Sequence, residues 1–289
     1  MLLLSTLLYL VGDPSGANSH SLALDELYIN KFGTAAQSEG YVLFSAISGL
    51  NLPLYLYSFQ SNRLQELDDG RINVRLPYVL ASKQGFMLLN RVGNLSLYYL
   101  SFEGNYEKTL RLNNLLSQGE RVLYAVNAPG GILLSLRAGN KASAALLDPE
   151  TLRLKRLSSL ETDFKVIWVA QGQRFWRFTC ETGELLELDS ALNKKAVAFR
   201  AIEPVENKGD GRNPYFSILH QPVISSEMIS FVHLEVRNKL GELLETRGSN
   251  ALLLDRDGKA RTAAMMVLGS YQGATLSLDC ENLELKLRK

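Results

Sequence analysis

Hydrophobic and polar positions alternate along this chain in a form that repeats. Residues 144–157 (AALLDPETLRLKRL) show it most plainly. An unbroken apolar run reaches Leu147, a polar turn follows at Asp148-Pro149-Glu150, and a second run interleaves leucines with Arg and Lys. This predicts a β-hairpin whose first strand is covered on both faces and whose second is wet on one. The same design recurs at 54–67, 97–112 and 184–199, and more weakly at 231–244 and 274–287. Between these hairpins lie further pairs of apolar runs, such as 78–81 with 86–89, 122–126 with 132–136, and 166–170 with 174–178. No segment sustains helical spacing over twelve residues without a Gly, a Pro or an alternating run.

The last apolar residues of the first hairpin strands are Phe59, Phe102, Leu147, Leu188, Val236 and Leu278, spaced 41 to 48 residues apart. Four short strands with their turns need about 45 residues. Radial repetition of four-stranded units is a β-propeller. The expected fold is therefore all-β, a β-propeller of six four-stranded blades, with seven as the alternative if residues 2–10 and 21–30 form a reduced blade. One blade should comprise 122–128, 131–138, 142–147 and 152–157. Residues 1–289 are expected to form a single propeller domain. The inner strands of the first blade are expected at 22–29 and 41–47, with polar connectors at 68–75, 115–120 and 158–163.

Residues 1–11 (MLLLSTLLYLV) admit two readings. They are expected to close the ring as a strand against 283–288, which removes exposed sheet edges. The alternative is the apolar part of a secretory signal, although a basic leading region is missing and Asp13-Pro14 interrupts it early. The run is too short to span a bilayer. Compartment stays open between a bacterial envelope or periplasm and the cytoplasm. After residue 200 the pattern loosens. Residues 201–213 (AIEPVENKGDGRN) form the longest polar stretch, read as a solvated insertion or as a flap over one mouth of the ring. Segments 243–246 and 251–255 could belong to either of two blades, and Asp255-Arg256-Asp257-Gly258 reads as a hairpin turn.

Net charge is +1 and charged residues make up 21% of the chain. That balance argues against a broad grip on nucleic acid or anionic membrane. The two cysteines, Cys180 and Cys280, fall in blades two apart and read as free thiols. No zinc-type cluster, Walker A loop, Gly-x-Gly-x-x-Gly turn, EF-hand loop or Gly-x-Ser-x-Gly elbow is present. No metal, cofactor or catalytic residue is therefore expected. Acidic residues at the hairpins, including Asp148, Glu150, Asp189 and Asp255, suit turns because they bond their own backbone. His220 and His233 fall in consecutive strands and face each other if the turn centres on Ser226-Glu227. No third ligand accompanies them at a recognised spacing.

Cations recur at the ends of inner strands: Arg75, Lys83, Arg121, Lys165 and Arg212, with His220. Tyr78, Tyr124, Trp168 and Tyr215 accompany them. Such residues would make one mouth of the ring basic and attractive to an anionic ligand or acidic segment, and Trp168 and Trp176 could offer stacking surfaces. The contrary reading is solvated strand ends and core tryptophans.

The hairpins YLYSFQSNRLQEL (55–67) and ALLDPETLRLKRL (145–157) resemble those of TolB-like and other six-bladed bacterial propellers. The resemblance covers most of the chain and carries over no site residue. Trp-Asp endings and sialidase-type Asp boxes are absent. The expected function is a non-catalytic propeller that binds a protein partner or a small ligand, anionic ligands included, at one face. The alternative is a propeller hydrolase or lyase acting on carbohydrate or peptide. A third reading, an accessory domain of a larger envelope complex, predicts a large exposed apolar patch.

Overall fold

Every inner strand of the repeat carries small or β-branched apolar residues, and the computed structural model shows what they pack against. It describes residues 20–23, 34–45, 53–67, 77–90, 95–112, 114–179, 184–200, 215–218, 223–224, 228–237, 243–255, 260–263, 265–279 and 284–288. In chain order, β1 (His20–Ala23) comes first and belongs to the last blade. The first blade is β2 (Ala35–Ser38), β3 (Tyr41–Ser45), β4 (Leu54–Ser58) and β5 (Arg63–Leu67). The second is β6 (Tyr78–Ser82), β7 (Gly85–Leu89), β8 (Ser96–Ser101) and β9 (Tyr106–Arg111). The third is β10 (Arg121–Ala128), β11 (Gly131–Ala138), β12 (Lys141–Leu147) and β13 (Leu154–Glu161). The fourth is β14 (Val166–Gln171), β15 (Arg174–Thr179), β16 (Glu184–Leu188) and β17 (Lys194–Arg200). An irregular five-stranded sheet follows, made of β18 (Tyr215–Ile218), β19 (Val223–Ile224), β20 (Met228–Arg237), β21 (Leu243–Asp255) and β22 (Ala260–Ala263). The fifth blade is β23 (Met265–Tyr271), β24 (Ala274–Asp279) and β25 (Glu284–Arg288), with β1 as its fourth strand. The chain is a β-propeller with antiparallel blades.

The expectation of six blades, or seven, is corrected to five four-stranded blades among the described residues. The remaining sheet breaks the pattern because β20 and β21 run 10 and 13 residues and pair almost end to end through two register shifts. Segments 243–246 and 251–255 are thus one strand. The hairpin at 231–244 joins the second and third strands of its sheet, as does 274–287, whereas the four stronger copies join third to fourth. The strand paired with β25 is His20–Ala23, and the closing strand expected at residues 1–10 lies outside the described residues. Leu22 accordingly belongs to the last blade, and the first inner strand is Ala35–Ser38, whose small buried alanines carry little periodic signal. The connector expected at 158–163 is mostly strand, since β13 runs on to Glu161 with Leu157 and Leu160 packed on the core. Residues 68–75, 201–213, Cys180 and Cys280 lie outside the described residues.

Blades two to four share one core that includes Trp168, Trp176, Phe178 and Leu133. β7 and β14 are buried at every position, as strands covered on both faces must be. Turn chemistry follows expectation at Asp148. Its carboxylate accepts from the Glu150 N–H at 2.9 Å and the Thr151 hydroxyl at 2.6 Å, and Asp189 does the same for Ala191 and Asn193.

Glu120 ties the connector before β10 to the outer strand of the same blade. Both its oxygens accept from the Arg156 guanidinium fork, one at 2.6 Å, and the Ser117 N–H donates at 3.1 Å. Burial pushes the Glu120 carboxyl up, but the Arg156 fork and the Ser117 N–H outweigh it and hold the group below its ordinary 4.5. A depressed folded-state pKa contributes stability above the unfolded value and loses it as pH falls through the folded one. Glu120→Gln is therefore expected to flatten the loss of stability below about pH 4.5, read by urea unfolding over a pH series. An unchanged acid limb would show that the pair contributes nothing.

Candidate functional site

An inner strand presents an unpaired edge, and here side chains of the neighbouring blade satisfy groups along it. The Asn127 amide on β10 accepts from the Ala81 N–H and donates to the Ala81 carbonyl on β6, both at 2.7 Å. Gln37 on β2 clasps Ser270 on β23 in the same way, accepting from its N–H at 2.8 Å and donating to its carbonyl. Thr34 accepts from the Val79 N–H at 2.7 Å, and Ser135 accepts from the Trp168 N–H at 2.8 Å. Buried backbone groups left unpaired would cost about 1–3 kcal/mol each. These contacts also set direction. Thr34 before β2 meets the start of β6, and Ser38 at the end of β2 meets Ser82 at the end of β6. Tyr78 at the start of β6 likewise donates to the Leu123 carbonyl near the start of β10, while Ala81 near the end of β6 meets Asn127 near the end of β10. The inner strands of the first three blades therefore run alongside one another in the same sense, and Gln171 at the end of β14 lines the same cavity as Gln37 and Asn127.

That common sense divides the expected cations between two faces. Arg121 opens β10 and is exposed; Lys165 precedes β14 and is half-buried. Lys83 lies in the β6–β7 turn at the opposite ends of the inner strands, so these three do not share one mouth. Trp168 is fully buried within β14 and lines neither cavity described below. Trp176 is buried too, with Arg174 over its ring at 5.5 Å. Arg75, Arg212 and His220 lie outside the described residues; His233 sits on β20 at a register shift between Val232 and Leu234. The pairings Val223–Ser230 and Ile224–Ile229 are symmetric about Ser226-Glu227. Among the described residues no group of three or more His, Cys, Asp or Glu could hold a metal ion, and no helix is long and apolar enough to cross a membrane. Phe164, 44% accessible, is the exposed large hydrophobic side chain among them.

Among the described residues, two of the cavities open where the inner strands end. The axial one, about 450 Å³, is walled by β2, β6, β10 and β14. Ala35, Ala36, Ala81, Ala125 and Ala170 leave its volume, and Gln37, Asn127 and Gln171 supply amides. The larger one, about 790 Å³, is a cleft between the second and third blades. Its floor is apolar, with Met87 and Ile132 buried and Tyr99, Leu110 and Leu152 half-buried. Its rim carries Lys83, Glu107, Lys108 and Glu150, all exposed. The Asn127–Ala81 clasp lines both cavities and stands between them.

Tyr99 organises the outer part of the cleft. Its hydroxyl donates to the Pro149 carbonyl at 3.2 Å, bridging the two blades, and Lys108 Nζ sits 4.4 Å from its ring centroid. Burial, then the Glu150 and Asp148 carboxylates, push the Tyr99 hydroxyl above its ordinary 10.0. Of these residues the sequence pointed to Lys83 as a site and to Glu150 only as a turn. The cross-strand pair Tyr99–Lys108 was the available signal.

No family model matches the sequence, and no curated protein matches it, so the resemblance to TolB-like propellers rests on the hairpins alone. Among solved structures the chain is similar to a protein of unknown function from Bacteroides thetaiotaomicron, at 12% identity and TM-score 0.50, over 94% of this chain and 72% of that one. It is also similar to an auxiliary nutrient binding protein from the same organism, at 12% identity and TM-score 0.50, over 90% of this chain and 69% of that one. At such identity these likenesses bear on architecture alone, and they agree with the strand order in assigning this chain to the β-propellers.

Proposed function

We propose that this protein is a non-catalytic binding propeller whose ligand occupies the cleft between the second and third blades. The observation that carries the reading is the cleft itself: about 790 Å³, an apolar floor, and four charged rim residues on two blades. Ligand sites fall in this size range and combine apolar walls with a few placed polar groups. The blades that wall it share one continuous core, so the site is built on rigid elements. The cleft lies at a single face, where the strand ends of both blades converge.

An apolar anionic dye, 1-anilinonaphthalene-8-sulfonate, tests the site. Leu110 is half-buried on β9 and lines the cleft. Leu110→Trp fills that space and is expected to reduce dye binding about tenfold, with the unfolding midpoint little changed. Equal dye binding by the two proteins would remove the cleft from the proposal.

A further inference from the structure

The cleft has a direction. Lys83 lies in the turn between the first and second strands of its blade, close to the axis. Glu107 lies on the outermost strand of the same blade, and Glu150 in the turn before the outermost strand of the next. The cleft is therefore cationic at its inner end and carries two carboxylates at its outer end, with an apolar floor between. The outer cation, Lys108, is seated on the Tyr99 ring. Lys83, Glu107 and Glu150 form no ion pair among the described residues. Opposite charges that line one cleft without meeting are complementary to a ligand that carries both signs at a matching separation.

That separation can be bounded from the sheet. Adjacent strands lie about 4.8 Å apart, so the β6–β7 turn and β9 are about 12 Å apart. An extended peptide advances about 3.3–3.6 Å per residue, which makes that distance a tri- or tetrapeptide from amine to carboxylate.

Resting on the proposed cleft site, we infer that its ligand is a short free peptide, bound with its carboxylate at Lys83, an apolar side chain on the Met87–Ile132 floor, and its amine between Glu107 and Glu150. The half-buried Tyr99, its hydroxyl held by Pro149, is the wall against which the apolar side chain packs.

The test uses the full chain and Ala-Leu-Ala, followed by saturation-transfer NMR and titration at low salt. The free tripeptide is expected to bind, and capping either terminus by acetylation or amidation to weaken it about tenfold, the loss of one charge-assisted contact. Lys83→Gln should abolish the difference between free and amidated peptide. Glu107→Gln with Glu150→Gln should abolish the difference between free and acetylated peptide. All three positions are exposed, so these variants keep the fold. Capped peptides that bind as well as the free one overturn the inference, and an acetylated peptide that alone matches it would point instead to the C-terminal tail of a protein. If no peptide binds while Leu110→Trp still excludes the dye, the peptide class fails and the cleft survives. If Leu110→Trp leaves dye binding unchanged, the cleft reading fails first and takes this inference with it.

Discussion

Trp168→Ala is expected to lower the unfolding free energy by about 4 kcal/mol, the upper range for truncating a large buried aromatic. Trp168 is 0% exposed and lies among the core residues that join blades two to four. Its backbone N–H is held by Ser135 on the neighbouring blade, so the strand cannot shift inward cheaply to refill the space. The remaining Trp176 reports unfolding in a denaturant titration. The same experiment separates two roles for Trp168. A stacking surface for ligand would lose little stability when truncated, whereas a core residue loses midpoint without altering dye binding in the cleft. A cost below about 1 kcal/mol would restore the binding role.

Gly85→Ala is expected to destabilise the fold by about 4 kcal/mol, from forced contact and backbone strain together. Gly85 opens β7 at φ +147°, and an added Cβ would lie 2.0 Å from the Leu100 carbonyl oxygen on the adjoining strand. Backbone is met here, not the end of a flexible side chain, so nothing can swing aside. Gly131 opens the equivalent strand of the third blade at φ +150°, with the Leu147 oxygen 2.3 Å from the same position. Blades two and three share this glycine, whereas the equivalent positions of the first, fourth and fifth blades are Tyr41, Arg174 and Ala274. Gly139 is the control, a turn glycine at φ +56° with nothing within 4 Å of an added Cβ. Gly139→Ala should cost only about 1 kcal/mol, the penalty of the left-handed conformation alone. Thermal or urea unfolding of the variants gives the comparison, and equal losses at Gly85 and Gly139 would show that the close approach is relieved by a strand shift.

Much of the architecture is written in local sequence. The third blade shows this, since strands expected at 122–128, 131–138, 142–147 and 152–157 are found at Arg121–Ala128, Gly131–Ala138, Lys141–Leu147 and Leu154–Glu161. A strand covered on both faces must be continuously apolar, and an outer strand must alternate. The turn at Asp148 likewise depends on its own carboxylate and the next three residues. These are nearest-neighbour properties, and a single chain displays them.

What lay beyond such neighbours was decided by the tertiary structure. β1 joins the last blade across more than 250 residues of chain, and Ala35–Ser38 becomes an inner strand through close packing that its composition does not advertise. The long pairing of β20 with β21 breaks the repeat because strand length depends on the partner offered, not on either segment alone. The candidate site behaves the same way. Lys83 was legible as a cation at an inner strand end, but its separation from Arg121 and Lys165 follows from strand direction, and its place in a cleft follows from the third blade standing beside the second. The sequence by itself determined the strands of the third blade, the outer hairpins of blades one to four and how the turns at Asp148 and Asp189 close. Only the assembly of blades determined which charges share a cavity, because that depends on contacts between residues that no local pattern relates.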